Sequence, residues 1–164
     1  MVAKLHKEPI SSQSMGELDA IDERILRELR RDGRLSNLGL AEKVGLSPSA
    51  TLRRVQELER RGVIRGFRAV VDPAQVGRGF AVYVTVALSD HSKAAQRAFE
   101  AVMARTVEVV ECHTVAGTFD YLLRVESPDL GAYKAFHDDV LGTIPTVRAI
   151  TSVIVMESPK DERA

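Results

Sequence analysis

Tryptophan is absent from this 164-residue chain, cysteine occurs once, and aromatic residues make up only 5% of it. A single cysteine, Cys112, excludes an internal disulfide and a cysteine-based zinc site. No apolar run approaches the roughly 20 residues that a bilayer-spanning helix needs. The stretch from Met1 to Ser14 carries Lys4, Lys7 and Glu8 without an apolar centre, so it does not read as a signal peptide. Net charge is also missing, because 23 Lys and Arg balance 23 Asp and Glu. The expectation is a soluble, reduced, cytoplasmic protein. Hydrophobic residues, at 45%, are plentiful enough for a core, and the length allows one ordinary domain or two small ones.

Catalytic signatures are lacking too. No phosphate loop, nucleophile elbow or dinucleotide fingerprint occurs. His6, His91, His113 and His137 are scattered and lack metal-ligand spacing. Cys112 and His113 are neighbours on an expected strand and so point to opposite faces, which rules out a nucleophile–base pair. Asp19 with Asp22, and Asp138 with Asp139, fall on expected helix surfaces, where solvated carboxylates are the default. Neither an enzyme nor a resident metal or cofactor is expected.

What is present is uneven charge. Between Lys43 and Arg68 lie Lys43, Arg53, Arg54, Arg60, Arg61, Arg65 and Arg68, opposed only by Glu57 and Glu59. From Pro73 onward acidic residues outnumber basic ones. A basic patch in a neutral chain suits a polyanionic partner, although a solvated helix face would show the same charge.

After a leader over 1–16, the spacing of Leu18, Ile21, Ile25, Leu26 and Leu29 predicts a helix from about Asp19 to Arg31, started by Asp19 or Glu17 and ended at Asp32-Gly33. Leu38, Leu40, Ala41 and Val44 predict a second helix of about two turns, stopped by Gly45. Ser47 is a good N-cap, and Pro48 sits at the first helical position, where its missing N–H costs nothing. A third helix then runs to about Arg61, with Thr51, Val55 and Leu58 inward and Gly62 as its stop. Two helices joined by a tight turn, the second opening on small polar residues, form a helix-turn-helix. The outward positions of its second helix are Ser49, Ala50, Arg53 and Arg54, suited to base edges or phosphates. Lys43, Arg60, Arg61 and Arg65 suit phosphates. A three-helix bundle used for packing or dimerisation is the alternative. Val63 to Val71 reads as a short hairpin or wing, broken at Asp72-Pro73.

The second half alternates differently. Phe80, Val82, Val84, Val86 and Leu88 mark one face of a strand over Gly79–Leu88. Ala94, Ala95, Ala98, Phe99, Val102 and Met103 mark a helix. Strands follow at Val107–Val115 and Phe119–Val125, joined by a turn at Ala116-Gly117-Thr118. Leu130, Tyr133, Phe136, His137, Val140 and Leu141 make another helix, and Val147–Met156 the last strand. This β-α-β-β-α-β order is the ferredoxin-like plan, with both helices on one face of an antiparallel sheet. The other face, carrying Ala81 or Phe80, Val110, Leu123 and Ile150, would be apolar and would pair sheet to sheet in a homodimer.

The segment Thr114-Val115-Ala116-Gly117-Thr118-Phe119-Asp120-Tyr121 admits two readings. Its backbone N–H groups could hold a carboxylate, with Asp120 holding an ammonium group or bracing the loop. Alternatively it is a plain hairpin turn, with Gly117 at positive φ and Asp120 bonded to its own backbone.

Leu18-Asp19-x-x-Asp22-x-x-Ile25-Leu26, Asp32-Gly33-Arg34, Leu46-Ser47-Pro48, Arg53-Arg54-Val55-x-x-Leu58-Glu59-x-x-Gly62-Val63-Ile64-x-Gly66 and Gly117-x-x-Asp120-Tyr121-Leu122-Leu123 together resemble the Lrp/AsnC (feast/famine) transcriptional regulators over about Leu18 to Met156. The resemblance implies an α+β protein: an N-terminal (winged) helix-turn-helix DNA-binding domain over 17–62, a linking strand or hinge over 63–78, and a C-terminal ferredoxin-like (RAM/ACT-like) effector-binding domain over 79–157. A tail over 158–164 follows. It implies sequence-specific binding to double-stranded promoter DNA, and dimers assembling into tetramers, octamers or larger rings. It also implies an amino acid or related metabolite as effector, bound between dimers where the Thr114–Tyr121 loop contributes. A cytoplasmic, nucleoid-associated regulator is expected; an amino-acid-sensing module acting on a partner protein is the alternative.

Overall fold

The computed structural model describes residues 18–161. The leader over 1–16, Glu17 as a helix start, His6 and the last three positions of the tail lie outside them. The chain divides into two compact units, one ending at Ala69 and the other beginning at Val70. That break falls inside the expected 63–78 linking segment.

The described residues of the first unit form three helices, α1 (Ala20–Arg31), α2 (Asn37–Val44) and α3 (Pro48–Arg60). Their starts are set locally. The Asp19 carboxylate accepts from the N–H groups of Ile21 and Asp22, and Asp22 reaches back to the Asp19 N–H, closing a capping box. Ser36 caps α2 and Ser47 caps α3, with Pro48 in its first turn. Gly45 ends α2 at φ 75°, a left-handed conformation that a side chain would strain. Ile25, Leu40, Val44 and Leu58 form the core, with Ile21, Leu26, Leu29, Leu35, Leu46, Val55 and Ile64 packed around it. Thr51 is fully buried, its hydroxyl donating to the Ser47 carbonyl at 3.0 Å. Leu38, read as part of the apolar stripe, is instead exposed.

The expected hairpin over Val63–Val71 is absent, and so is any linking strand over 63–78. The N–H groups of Val63 and Ile64 both donate to the Leu58 carbonyl, at 2.9 and 3.1 Å. They finish α3 together with Gly62 at φ 70°, which takes the first two residues of the expected hairpin, and 65–71 forms no strand. A short 3-10 turn, Pro73–Val76, follows with Asp72 as its cap.

The second unit runs β1 (Phe80–Leu88), α4 (Lys93–Met103), β2 (Val109–Thr114), β3 (Tyr121–Ser127), α5 (Leu130–Asp139), a 3-10 turn (Leu141–Thr143) and β4 (Val147–Ile154). Strand order is β2-β3-β1-β4, and every pair is antiparallel. This is the ferredoxin-like order. One sheet face buries Val82, Val84, Val86, Leu88, Tyr121, Leu123 and Val125 against Phe99 and Met103 of α4 and Tyr133 and Phe136 of α5.

The register corrects the expected open face. Leu123 is fully buried on the helix side, and Phe80 and Ile150 also pack against the core. The open face carries Ala81, Tyr83, Thr85, Leu122, Arg124 and Glu126, since Tyr83 pairs with Arg124, Thr85 with Leu122 and Ala81 with Glu126. It is not purely apolar. Arg124 and Glu126 form an ion pair at 2.5 Å, and Asp161, beyond β4, approaches Arg124 at 3.9 Å.

Candidate functional site

In the first unit, the turn between α2 and α3 is held from both sides. The Asn37 amide donates to the Pro48 carbonyl at 2.8 Å, and the Leu46 N–H donates to the Ala41 carbonyl at 3.1 Å. Ser47 Oγ accepts from the Ala50 N–H at 3.3 Å and lies 3.3 Å from Ser49 Oγ. Ser49 and Arg53 are exposed on the first turns of α3, and Ala50 is half-buried beside them. Nothing in the sequence pattern marked Asn37; its partner lies across the turn, eleven positions away.

The cations differ in how free they are. Arg53 and Arg65 are exposed and make no ion pair among the described residues. Arg60 is clamped by Glu57, two contacts of 2.7 and 2.6 Å, which hold the Glu57 carboxyl below its ordinary value. Lys43 pairs with Glu28 at 3.1 Å, lowering the Glu28 carboxyl likewise. Arg61 is half-buried.

Arg54 departs from the expected outward position. Its guanidinium Nη1 crosses to the start of α1, 2.7 Å from Asp19 Oδ2 and 2.8 Å from Asp22 Oδ1. The Asp22 N–H and then Arg54 hold the Asp19 carboxyl below the usual aspartate value, and the two carboxylates raise the Arg54 guanidinium. Asp19 and Asp22 are therefore not the plain solvated carboxylates the sequence suggested. Asp22 is only 8% exposed.

In the second unit, the β2–β3 connection spans 115–120 rather than a three-residue turn, and β3 starts at Tyr121, not Phe119. Thr114, Ala116, Gly117 and Thr118 are exposed; Val115 and Phe119 are half-buried. Gly117 does not take a positive φ. A Cβ there would meet nothing within 4 Å, so neither the backbone conformation nor close packing calls for glycine. Tyr121 is 1% exposed and points into the helix-side core, its hydroxyl donating to Glu100 at 3.0 Å. Burial, then Glu100, pushes the phenol up to about 12. That placement removes Tyr121 from any surface a ligand could touch in this chain.

Asp120 is the brace of the loop. Its Oδ2 accepts from the Leu88 N–H at 2.7 Å, and its Oδ1 lies 3.0 Å from His91 Nδ1. Its own N–H donates to the Val86 carbonyl and its carbonyl accepts from Val115, each at 2.9 Å. The bonds reach β1 and the segment after it, not only the residue's own turn. His91 is a participant that its scattered position did not reveal. Among the described residues no group of three or more His, Cys, Asp or Glu is placed to hold a metal ion. Cys112 lies in register with Leu123 and His113 with Leu122, so the two side chains leave the strand on opposite faces.

A helix-turn-helix whose second helix displays an arginine with no ion pair among the described residues, in one chain with a β-α-β-β-α-β unit, has the build of a two-unit DNA-binding regulator. Comparison with known proteins agrees. A family model described as the Lrp/AsnC ligand binding domain matches residues 81–164, and one described as winged helix-turn-helix DNA-binding matches 18–65. The leucine-responsive regulatory protein of Salmonella typhimurium is 40% identical over 144 residues, 88% of each chain. That of Escherichia coli K12 is 39% identical over the same span. A Neisseria meningitidis transcriptional regulator solved as an L-Met complex superposes with a TM-score of 0.84 at 34% identity, covering 88% of this chain and 94% of that one. An AsnC family regulator from Agrobacterium tumefaciens gives 0.82 at 39% identity, covering 87% and 93%. The chain belongs to the Lrp/AsnC family, which is one of transcriptional regulators and not of enzymes.

Proposed function

We propose that this regulator reads double-stranded promoter DNA through the start of α3, with Ser49, Ala50 and Arg53 at base edges or phosphates and Ser47 holding the helix end. Lys43, Arg60, Arg61 and Arg65 add attraction for phosphates; Arg60 and Lys43 do so only by exchanging Glu57 and Glu28 for the nucleic acid. The effector is an amino acid or a close relative of one, as the leucine-responsive relatives and the L-Met complex suggest. It contacts the loop through exposed Thr114, Ala116, Gly117 and Thr118 and half-buried Val115 and Phe119, while Asp120 holds the loop in shape. Dimers present two α3 helices to a pseudo-palindromic site and assemble further into tetramers, octamers or larger rings. Effector binding shifts that assembly through differential affinity for its states. The protein acts in the cytoplasm, associated with the nucleoid; no helix among the described residues is long and apolar enough to cross a membrane.

One observation carries the DNA reading: Arg53 stands exposed, without an ion-pair partner among the described residues, on the first turns of a helix that a Ser-Pro start and the Asn37 bond hold in place. Duplexes enriched from a random-sequence library by the wild-type protein supply the test. Arg53→Ala is expected to weaken binding to them by about 1–3 kcal/mol, and to flatten the dependence of log K on log salt by about 1 if the group meets a phosphate. An unchanged gel-shift titration at every salt concentration removes Arg53 from the interface.

A further inference from the structure

We propose that Arg54 is a positioning residue: it latches α3 to the N-terminus of α1, and so sets the pose in which α3 meets DNA without itself touching DNA. This rests on the DNA reading above. One guanidinium nitrogen lies within 2.8 Å of two carboxylate oxygens, from Asp19 and Asp22. These are not loose surface groups. Asp19 is the N-cap of α1, with its other oxygen fixed by the N–H groups of Ile21 and Asp22, and Asp22 is bonded back to the Asp19 N–H and nearly buried. Arg54 therefore docks on a rigid, pre-built carboxylate pair.

The latch lies on the middle of α3, two turns beyond the Ser47 cap. The Asn37–Pro48 bond holds the beginning of the helix, and Arg54 holds its middle to a different helix. Thr51, Val55 and Leu58 pack α3 against the core, and these two separated polar attachments add directional constraints on its rotation that apolar contact does not supply. Arg53, the next residue back, is left exposed with no ion-pair partner among the described residues, so the two adjacent arginines divide into a reader and an anchor.

The two roles for Arg54 give opposite signs in one experiment. Asn is as good an N-cap as Asp, so Asp19→Asn with Asp22→Asn keeps the α1 start while removing both negative charges that hold Arg54. The probes are a duplex enriched by the wild type from a random library and the unselected library itself, titrated at several salt concentrations. If Arg54 is an anchor, the Asn pair weakens binding to the enriched duplex roughly tenfold or more, on the scale of one lost base contact, although the protein has become more positive. Binding to the unselected library does not fall, so the ratio between the two collapses. Arg54→Met should give the same collapse with an unchanged salt slope, and adding it to the Asn pair should cost nothing more. Arg54→Lys, whose ammonium ends a bond short of the Nη1 that makes both contacts, should restore only part of the ratio.

If Arg54 is instead a DNA contact, freeing it tightens binding to both probes and steepens the salt slope, and Arg54→Met flattens the slope by about 1 in either background. That pattern overturns the latch. A wild type that enriches no sequence at all overturns the DNA reading, and the latch with it, before any variant is made. A merely structural bond would lower the melting temperature but leave the ratio unmoved, so equal ratios in wild type and variants, measured well below each melting point, also refute the proposal.

Discussion

Replacing Asp120 separates a brace from a charge. Its Oδ2 receives the Leu88 N–H at 2.7 Å; Leu88 is 1% exposed, and the Asp120 side chain keeps 22% of its surface in solvent. A hydrogen bond to a charged acceptor contributes about 1.5–3 kcal/mol, and a stranded buried N–H costs a similar amount. Asp120→Ala should therefore destabilise the second unit by about 2–3 kcal/mol. Asp120→Asn keeps an oxygen for the Leu88 N–H and loses mainly the charge facing His91, which is two-thirds exposed. Such exposed pairs contribute at most about 1 kcal/mol, so Asp120→Asn should stay within that. The assay comes from the composition. There is no tryptophan, and the three tyrosines, Tyr83, Tyr121 and Tyr133, all lie in the second unit. Tyrosine fluorescence of the full chain in a urea titration thus follows that unit alone. Equal midpoints for Asp120→Ala and Asp120→Asn would refute the bond to Leu88 as the source of the loop's stability.

Two further outcomes are expected. The Tyr121 phenol rises from 10.0 to about 12, so the stability it contributes is fully present below pH 10 and is lost as pH rises through about 12. At about 1.4 kcal/mol per unit this amounts to roughly 2–3 kcal/mol, and Tyr121→Phe should remove that alkaline slope from the urea midpoint followed by far-UV circular dichroism. Gly117→Thr meets open space and should fold normally, keep its affinity for wild-type-enriched DNA and lose the heat of binding for leucine or methionine. A variant that still responds to each amino acid that moves the wild type would take the loop out of the effector site.

Local signals are legible in the sequence because their causes are local. The Asp19 and Ser47 caps, the Pro48 start and the Gly45 stop each act within a turn, and the alternation through Val82, Val84 and Val86 follows from the two-residue strand repeat. The sheet order followed from the sequence of elements. What stayed hidden depends on partners far along the chain. Arg54 meets carboxylates 35 and 32 positions away, and Asp120 meets an N–H 32 positions away. Composition alone cannot distinguish such a bonded residue from a surface one. The faces of Leu123 and Ile150 are hidden for a related reason, since a one-residue change of register exchanges the two sides of a strand. Val63 and Ile64 look like strand residues in the sequence, but their N–H groups close α3 on the Leu58 carbonyl.

The two hydrophobic cores, one centred on Ile25 and Leu40 and the other on Val84 and Leu123, have no member in common. Damage to one is therefore not a debit against the other. Substitutions that reshape the metabolite-recognising half can accumulate there while the nucleic-acid-reading half keeps its own margin, so a lineage can change what it senses and what it controls in separate steps.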